Sequence, residues 1–299
     1  MLALGIWGNK RVTNSDEFAV ARGGYGPLPL ALAFAATTAS GATFLGLPGY
    51  AYSHGLSVMW YAFAYPLGVY IGVLICLRAV SQEGNEFGSR SIPEYLGDKY
   101  RSDRIRVIAA VLSLILFFYL AGQLVASLVM FETMLGLSAG PALAITTAIL
   151  FCYVTLGGAH ADILTDGVQG AVMIFISIGV AGMFFFAYGL DGGLGVLMHR
   201  LGEADRSNLL LFNPNASLVA SPIAVIALII AHIPMGMLPH IGNKLWALKT
   251  STSRRRFVWL AFLFAMLLPA VTLGPGADAK PPPMVPKIRI VPDSASSES

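Results

Sequence analysis

Four hydroxyl side chains, Thr37, Thr38, Ser40 and Thr43, fall inside a stretch that otherwise reads as lipid-facing, LPLALAFAATTASGATFLGLPGYAYSHG at residues 28–55. Hard cations prefer oxygen ligands, and neutral oxygens at this density suit Na⁺ without any carboxylate at the site. The same stretch carries Gly41, Gly46, Pro48, Gly49 and Gly55, residue types that interrupt helices. Irregular backbone at membrane depth survives only when buried in protein or lining a polar cavity. Two readings follow. One is a kinked helix whose glycines allow close packing against neighbours. The other is a discontinuous helix whose unwound middle frees carbonyl oxygens for a cation, while the next half-helix offers N–H groups to a solute. The second also accounts for the hydroxyls.

Other polar residues within apolar surroundings add to the list. Asp166 and Gln169 are three apart, which puts them on one face of a helix. Thr165-Asp166 could simply cap a helix N-terminus, and a capping aspartate can also meet a passing cation. Gln123 and His232 sit among apolar neighbours, where polar side chains usually face the bundle interior; His232 is expected to hydrogen-bond one helix to another. Glu132 is expected to reach water near the end of its segment. Pro234 and Gly236 are placed to break their segment. Cys76 and Cys152 lie in apolar runs and read as packing residues. No His-Glu-x-x-His, P-loop or dinucleotide-type glycine motif occurs, and no paired acid and base suggests an enzyme.

The elements that must position these groups are helices in lipid. Of the 299 residues, 56% are hydrophobic and only 12% charged, against about 25% charged in soluble domains. Seven segments approach the roughly 20 apolar residues that a crossing needs: Leu28 to Tyr52, Ser57 to Leu77, Val107 to Leu135, Pro141 to Leu156, Thr165 to Tyr188, Ser221 to Leu238 and Phe257 to Leu273. Connections 1–27, 78–106, 157–164 and 239–256 hold 14 of the 19 Lys and Arg residues. By the positive-inside bias these face the cytoplasm, which puts the N-terminus inside. Arg254-Arg255-Arg256 reads as an anchor of that kind rather than a nucleic-acid patch. Residues 274–299, rich in Pro, Ser and Ala, read as a disordered tail.

Several stretches, taken together, resemble the sodium:solute symporter family. SDEFAVARGGYGPLPLALAFAATTAS resembles its cytoplasmic lead-in. SGATFLGLPGYAYSHG carries its pattern at Ser40, Phe44, Gly46, Pro48, Gly49, Tyr52 and Gly55. SIPEYLGDKYRSDRIR (91–106) is similar to the loop between its second and third spans. YVTLGGAHADILTDGVQG matches at Gly157, Gly158, Thr165, Asp166 and Gln169, and GMLPHIGNKLWALKT (236–250) resembles the exit of its sixth span.

The resemblance implies an all-α integral membrane fold of the leucine-transporter-like, inverted-repeat type, here partial, with about seven transmembrane helices and a discontinuous first helix. Residues 1–27 would be a cytoplasmic lead-in with the remnant of a preceding helix. The symporter domain would run over 28–273, with a first five-helix repeat at 28–188 and the start of a second at 221–273. It further implies Na⁺ as coupling ion with no other cofactor, a small organic solute, and residence in the plasma (inner) membrane. The carbonyls of Ala36 and Ala39, the Ser40 hydroxyl and Asp166 would meet the ion, Asp166 on its cytoplasmic exit path. Thr38, Gly41, Ala42, Thr43 and Gln123 would face the solute. Lys244 stands where many members carry Arg. The exit MLPHIGNK leans toward carboxylate-bearing solutes such as proline or pantothenate.

Members have about thirteen spans, so the chain reads as a truncated copy. Its first repeat is complete and its second is cut after two helices, which removes hydroxyl ligands of the same ion. The alternatives are an inactive fragment, a subunit whose partner supplies the missing helices, and a transporter-like membrane sensor.

Overall fold

The computed structural model describes residues 1–39, 42–186, 205–248 and 250–269, with residues 195, 198–199 and 202–203 between them. The expected tail at 274–299 lies outside the described residues. Helices dominate, and the one β-type contact among the described residues is an isolated parallel bridge between Tyr25 and Leu248.

In chain order the helices are α1 (Leu2–Asn9), α2 (Ser15–Val20), α3 (Pro27–Thr38), α4 (Leu47–His54), α5 (Met59–Arg78), α6 (Gly84–Phe87), α7 (Ile92–Tyr100), α8 (Asp103–Ser113), α9 (Leu116–Leu135), α10 (Ala139–Phe185), α11 (Pro222–His232), α12 (Pro239–Leu245) and α13 (Ser251–Leu267). Their starts follow ordinary capping chemistry: Asn14, Ser91, Ser102, Ser221 and Thr250 each accept backbone N–H bonds at an N-terminus. Pro27, with Gly26 before it, opens α3 where a missing N–H costs nothing.

Three helical runs among the described residues are long and apolar enough to cross a membrane: Leu47–Phe87, Asp103–Leu135 and Ala139–Met183. A fourth is reached if Pro222–Met237 and Pro239–Leu245, bent by 61°, form one broken span. The difference from seven segments has physical causes. α3 has 12 residues, about 18 Å at the α-helical rise, and cannot cross an apolar core of roughly 30 Å alone. α10 has 47 residues, about 70 Å if straight, enough for two crossings. It is not one straight rod: Gly158, at φ 51 and ψ −137, leaves the helical region and divides it into limbs 139–157 and 159–185. α13 opens on the arginine run and has 17 residues.

The 27–54 segment is discontinuous. α3 ends at Thr38, Ala39 turns out at ψ 80, and after residues 40–41 the chain resumes as a π-helical turn over Ala42–Gly46 before α4. α3 occupies the centre. Leu30, Ala31, Ala33, Phe34 and Ala35 are almost completely buried, packed mainly against α10 and α13. Phe34 meets Phe257 edge-on at 5.8 Å. A Cβ at Gly170 would run into the α3 backbone at Leu32; its absence lets the second limb of α10 lie flush on α3. α5 crosses α11 and the following 3₁₀ turn, Pro234–Met237, just as closely through Gly68, Gly72 and Gly236. Such small-residue crossings are how helices associate where lipid removes the hydrophobic drive between them.

α8 and α9 bury none of their residues, and Leu112, Phe117 and Phe118 point outward. The short α1 lies along α10, with Gly5 against Tyr153 and Gly8 against Ala161.

Candidate functional site

The broken end of α3 stands between two cavities. Thr37 turns its hydroxyl toward Asp166 of α10, while Thr38 offers its backbone carbonyl to Tyr65 of α5.

The first cavity, about 210 Å³, is lined by Thr43, Gly46, Leu47, Tyr50, Tyr61, Tyr65 and Leu218. It lies where the π turn and α4 face α5. Tyr65 donates its hydroxyl to the Thr38 carbonyl, one of the oxygens left over at the helix end. The Thr38 hydroxyl itself turns back to Phe34 O and Ala35 O, both at 3.0 Å. Thr43 is buried at the cavity wall. His232 does not bridge helices by a hydrogen bond as expected. Its Nδ1 meets Leu228 O of its own helix at 2.7 Å, and its ring meets Tyr61 and Tyr65 edge-on at 5.8 and 5.0 Å. The loop holding Leu218 is fixed over α4 by Asn213, whose Nδ2 donates to His54 O at 3.1 Å. Gly55, at φ +67, is pressed against Asn208 where any Cβ would collide.

The second cavity, about 470 Å³, is lined among others by Phe18, Thr37, Asp162, Asp166, His240, Asn243 and Lys244. Here the Lys244 ammonium, 5% exposed, bonds Asp162 Oδ2 and, at 2.9 Å, Asp166 Oδ2. Thr37 Oγ1 donates to the same Asp166 oxygen at 3.0 Å and also touches Ala33 O. Asp162 is 46% exposed and Asp166 18%, so the pair leads from water inward. Asn243 Oδ1 is buried here without a hydrogen-bond partner. Thr165 does not begin a helix: it lies within the second limb of α10 with its hydroxyl bonded back to Ala161 O at 2.8 Å. The capping reading of Thr165-Asp166 is therefore overturned.

Beside this cavity the lead-in is tied down. His160, buried, takes Tyr25 Oη on Nδ1 at 3.0 Å and Glu17 Oε2 on Nε2 at 2.7 Å. Arg22 holds Asp16 through two bonds, 2.8 and 2.9 Å, and reaches Asn85 Oδ1 at 2.6 Å and Ser89 O at 2.9 Å. The Arg22 hydrogen bond keeps the Asp16 carboxyl below its ordinary range, against a smaller opposing effect of burial. Gly23 and Tyr25 donate backbone N–H to Trp246 O and Ala247 O, each at 3.1 Å.

The positions named from sequence distribute as follows. Ala36 and Ala39 form the last turn of α3, with Ala39 8% exposed. Ser40 and Gly41 lie outside the described residues, and Ala42 opens the π turn. Thr43 and Gly46 line the first cavity; Thr37 and Asp166 meet in the second. Gln123, on α9, lines neither. Phe44 packs against the cluster of Ala35, Ala39, Ile174 and Leu268. Pro48 is buried at the start of α4, where Gly49 and Tyr52 turn outward. Gln169 does not join Asp166; its Nε2 faces Met1 Sδ at 3.5 Å. Cys76 is half-buried and Cys152 exposed, both as free thiols.

Sequence reasoning missed Asp162, Asn243 and the three tyrosines. Asp162 and Asp166 are four apart, the spacing that stacks two side chains on one helix face. That signal, with one lysine in the apolar run MLPHIGNKLWAL, was present in the chain.

A bundle of apolar helices, one of them broken beside a small aromatic cavity and backed by a charged one, has the build of the broken-helix class of membrane folds. Residues 18–285 match the sodium:solute symporter family, and the chain belongs to it. It is an integral membrane protein. It is 27% identical over 286 residues to the osmoregulated proline transporter OpuE of Bacillus subtilis, covering 92% of this chain and 55% of that protein. The high-affinity proline transporter PutP of the same organism is 27% identical over 287 residues, with 93% and 59% covered. The sodium/proline symporter of Escherichia coli is 30% identical over 184 residues, with 60% and 36% covered. The chain thus spans a little over half the length of the first two. These relatives are transporters, not enzymes.

Proposed function

We propose that the chain forms the solute- and ion-receiving part of a sodium-coupled symporter for a small organic solute. The observation that carries this is the break after Thr38, beside a cavity whose wall holds Thr43 and three tyrosines. In this reading the carbonyls of Ala36 and Ala39 and the Ser40 hydroxyl receive Na⁺ at the break. Thr38, Gly41, Ala42, Thr43 and Gln123 belong to the solute path, and Asp166 to the ion's cytoplasmic exit. The cavity is smaller than the roughly 300–1,000 Å³ of drug-sized sites, and the relatives named above are proline transporters; a proline-sized solute fits both.

The seven-span arrangement belongs to the same proposal: the limbs of α10 cross separately, α3 with α4 forms one broken span, and the N-terminus is cytoplasmic in the inner membrane. No covalent chemistry is needed, since ion and solute are coupled by favouring one conformation of the bundle. The reading requires the part of the relatives' length that this chain does not span, whose helices complete the ion's ligand set.

The test is uptake of labelled proline, pantothenate and acetate into proteoliposomes, with and without an inward Na⁺ gradient. The chain is reconstituted alone and with the remaining C-terminal portion of OpuE. Uptake that needs the gradient and the added portion, and is lost in Ser40→Ala, is the expected result. Gradient-independent flux in every combination, or a Ser40→Ala variant that transports normally, would sink the reading.

A further inference from the structure

We propose that Lys244 is a tethered cation: its ammonium occupies the second cavity when the coupling ion is absent, and the ion must displace it to pass Asp162 and Asp166. The proposal rests on the sodium-coupled reading only for the identity of the ion.

Two carboxylates and one ammonium leave one negative charge uncompensated in a partly enclosed site, where charge is costly to leave unpaired. Lys244 bonds both aspartates through Nζ, on the Oδ2 atom of each, so a compact point charge sits where a bare monovalent ion would take the same two oxygens. Neutral oxygens stand ready beside it. Thr37 Oγ1 already touches Asp166, and Asn243 Oδ1 is buried at the cavity with no partner. An unpartnered buried acceptor is expensive unless something else fills its place. The cavity, about 470 Å³, has room beyond the ammonium.

Access runs in one direction. Asp162 is 46% exposed and Asp166 18%, so an ion leaving the break meets Asp166 first and Asp162 at the water's edge. Lys244 also belongs to a different element from its acceptors. It rides on α12, beyond the 61° bend that separates that helix from α11, whereas both aspartates are on the second limb of α10. Withdrawal of the ammonium therefore asks α12 to move relative to α10, and does not require either helix to unwind.

The test uses the full chain in lipid nanodiscs and reads thermal unfolding in NaCl against N-methylglucamine chloride. An ion that binds only the folded state raises its stability with concentration. Lys244→Met is expected to gain a Na⁺ response that saturates at a concentration at least roughly tenfold below any response of the native chain. Adding Asp166→Asn should abolish that gain, and Lys244→Arg, which keeps the charge, should not show it.

If Lys244→Met does not fold, Lys244→Met combined with Asp162→Asn carries one fewer unpaired carboxylate and reads the same response. Failure of both to be rescued by Na⁺ up to about 0.5 M overturns the proposal, because an ion able to replace the ammonium would restore the fold. A response equal to the native chain's, or one that survives Asp166→Asn, overturns it as well. A Na⁺ gain in Lys244→Met with no transport in any proteoliposome combination supports the tethered cation and refutes the transport reading. Transport without that gain does the reverse.

Discussion

Gly72 offers the most direct test of how the two halves of the bundle meet. A Cβ added there would collide with the carbonyl oxygen of Ile233 and stand 3.1 Å from Gly236 Cα. Both are backbone atoms, so no flexible side-chain end can give way, and α5 must move off the turn that follows α11. Overpacking of this kind costs about 1–3 kcal/mol. Alanine also favours a helix over glycine by about 1 kcal/mol, which would partly mask the effect. Gly179 supplies the correction: it is helical, and a Cβ there has nothing within 4 Å. The propensity term is common to Gly72→Ala and Gly179→Ala, so their difference isolates the collision at about 1–3 kcal/mol. At roughly 2–4 °C per kcal/mol for chains of this order of size, Gly72→Ala should melt roughly 2–12 °C below Gly179→Ala.

Cys76 can report the transition. It is half-buried on α5 with Sγ 3.7 Å from Gly236 O, beside the contact being tested. In a Cys152→Ser background, which removes the exposed thiol, a thiol-reactive dye reads the opening of that contact on heating. Because the same crossing carries Tyr61 and Tyr65, Gly72→Ala should also loosen the wall of the first cavity. Equal melting of the two alanine variants would refute the close α5–α11 approach, and with it the placement of that wall.

Two further outcomes concern single interactions. Tyr65→Phe removes the hydroxyl that satisfies the Thr38 carbonyl and should cost about 0.5–1.5 kcal/mol by the same dye assay; no change would mean that this carbonyl finds another donor. Asp16 is depressed by its hydrogen bond to Arg22, so the stability it contributes is present above its unfolded value, about 3.9, and is lost as pH falls through the lower folded one. Amide protection factors over residues 15–25, corrected for the intrinsic pH dependence of exchange, should therefore hold steady from about pH 6 down to about pH 4 and fall below that, with Asp16→Asn showing no such step; a fall beginning near neutral pH would assign the lead-in's protection to another group.

What the sequence made legible follows from how far each signal reaches along the chain. Apolar length and helix punctuation are local, so the broken helix at 27–54 and the bend at Pro234–Gly236 could be read directly. Gly158 was harder. It belongs to a recognisable Gly157-Gly158 pair, but only the folded chain shows it at positive φ, joining two limbs with hardly any loop between them. The Lys244 cluster was out of reach in a different way. Asp162 and Asp166 announce one helix face, whereas their cation lies 78 residues beyond Asp166 in the chain. A lysine in a short cytoplasmic-type connection reads as an orientation signal unless something says where its side chain ends. Thr38 shows the opposite limit: its hydroxyl was the sequence clue, yet the structure turns that hydroxyl back on α3 and presents the carbonyl to Tyr65.

The lysine that pairs with α10 also stands next to the strongest tie between the lead-in and the rest of the bundle. Trp246, with no exposed surface, accepts a backbone bond from Gly23, and Asn85 Nδ2 lies 3.4 Å from the same oxygen. Asn85 in turn receives Arg22. Residues 244–248 thus join three regions at once: the aspartates of α10, the lead-in ahead of α3, and α6. In such an arrangement the charge on Lys244 cannot shift far without straining backbone bonds one turn away, and those bonds cannot open without loosening the hold on Asp162 and Asp166. Coupling between distant parts of a protein needs an element with two arrangements that both parts bias. The stretch from Lys244 to Leu248 is placed to be that kind of element, because one short segment carries both the charge that the tethered-cation proposal sets against an ion and the hydrogen bonds that hold the lead-in.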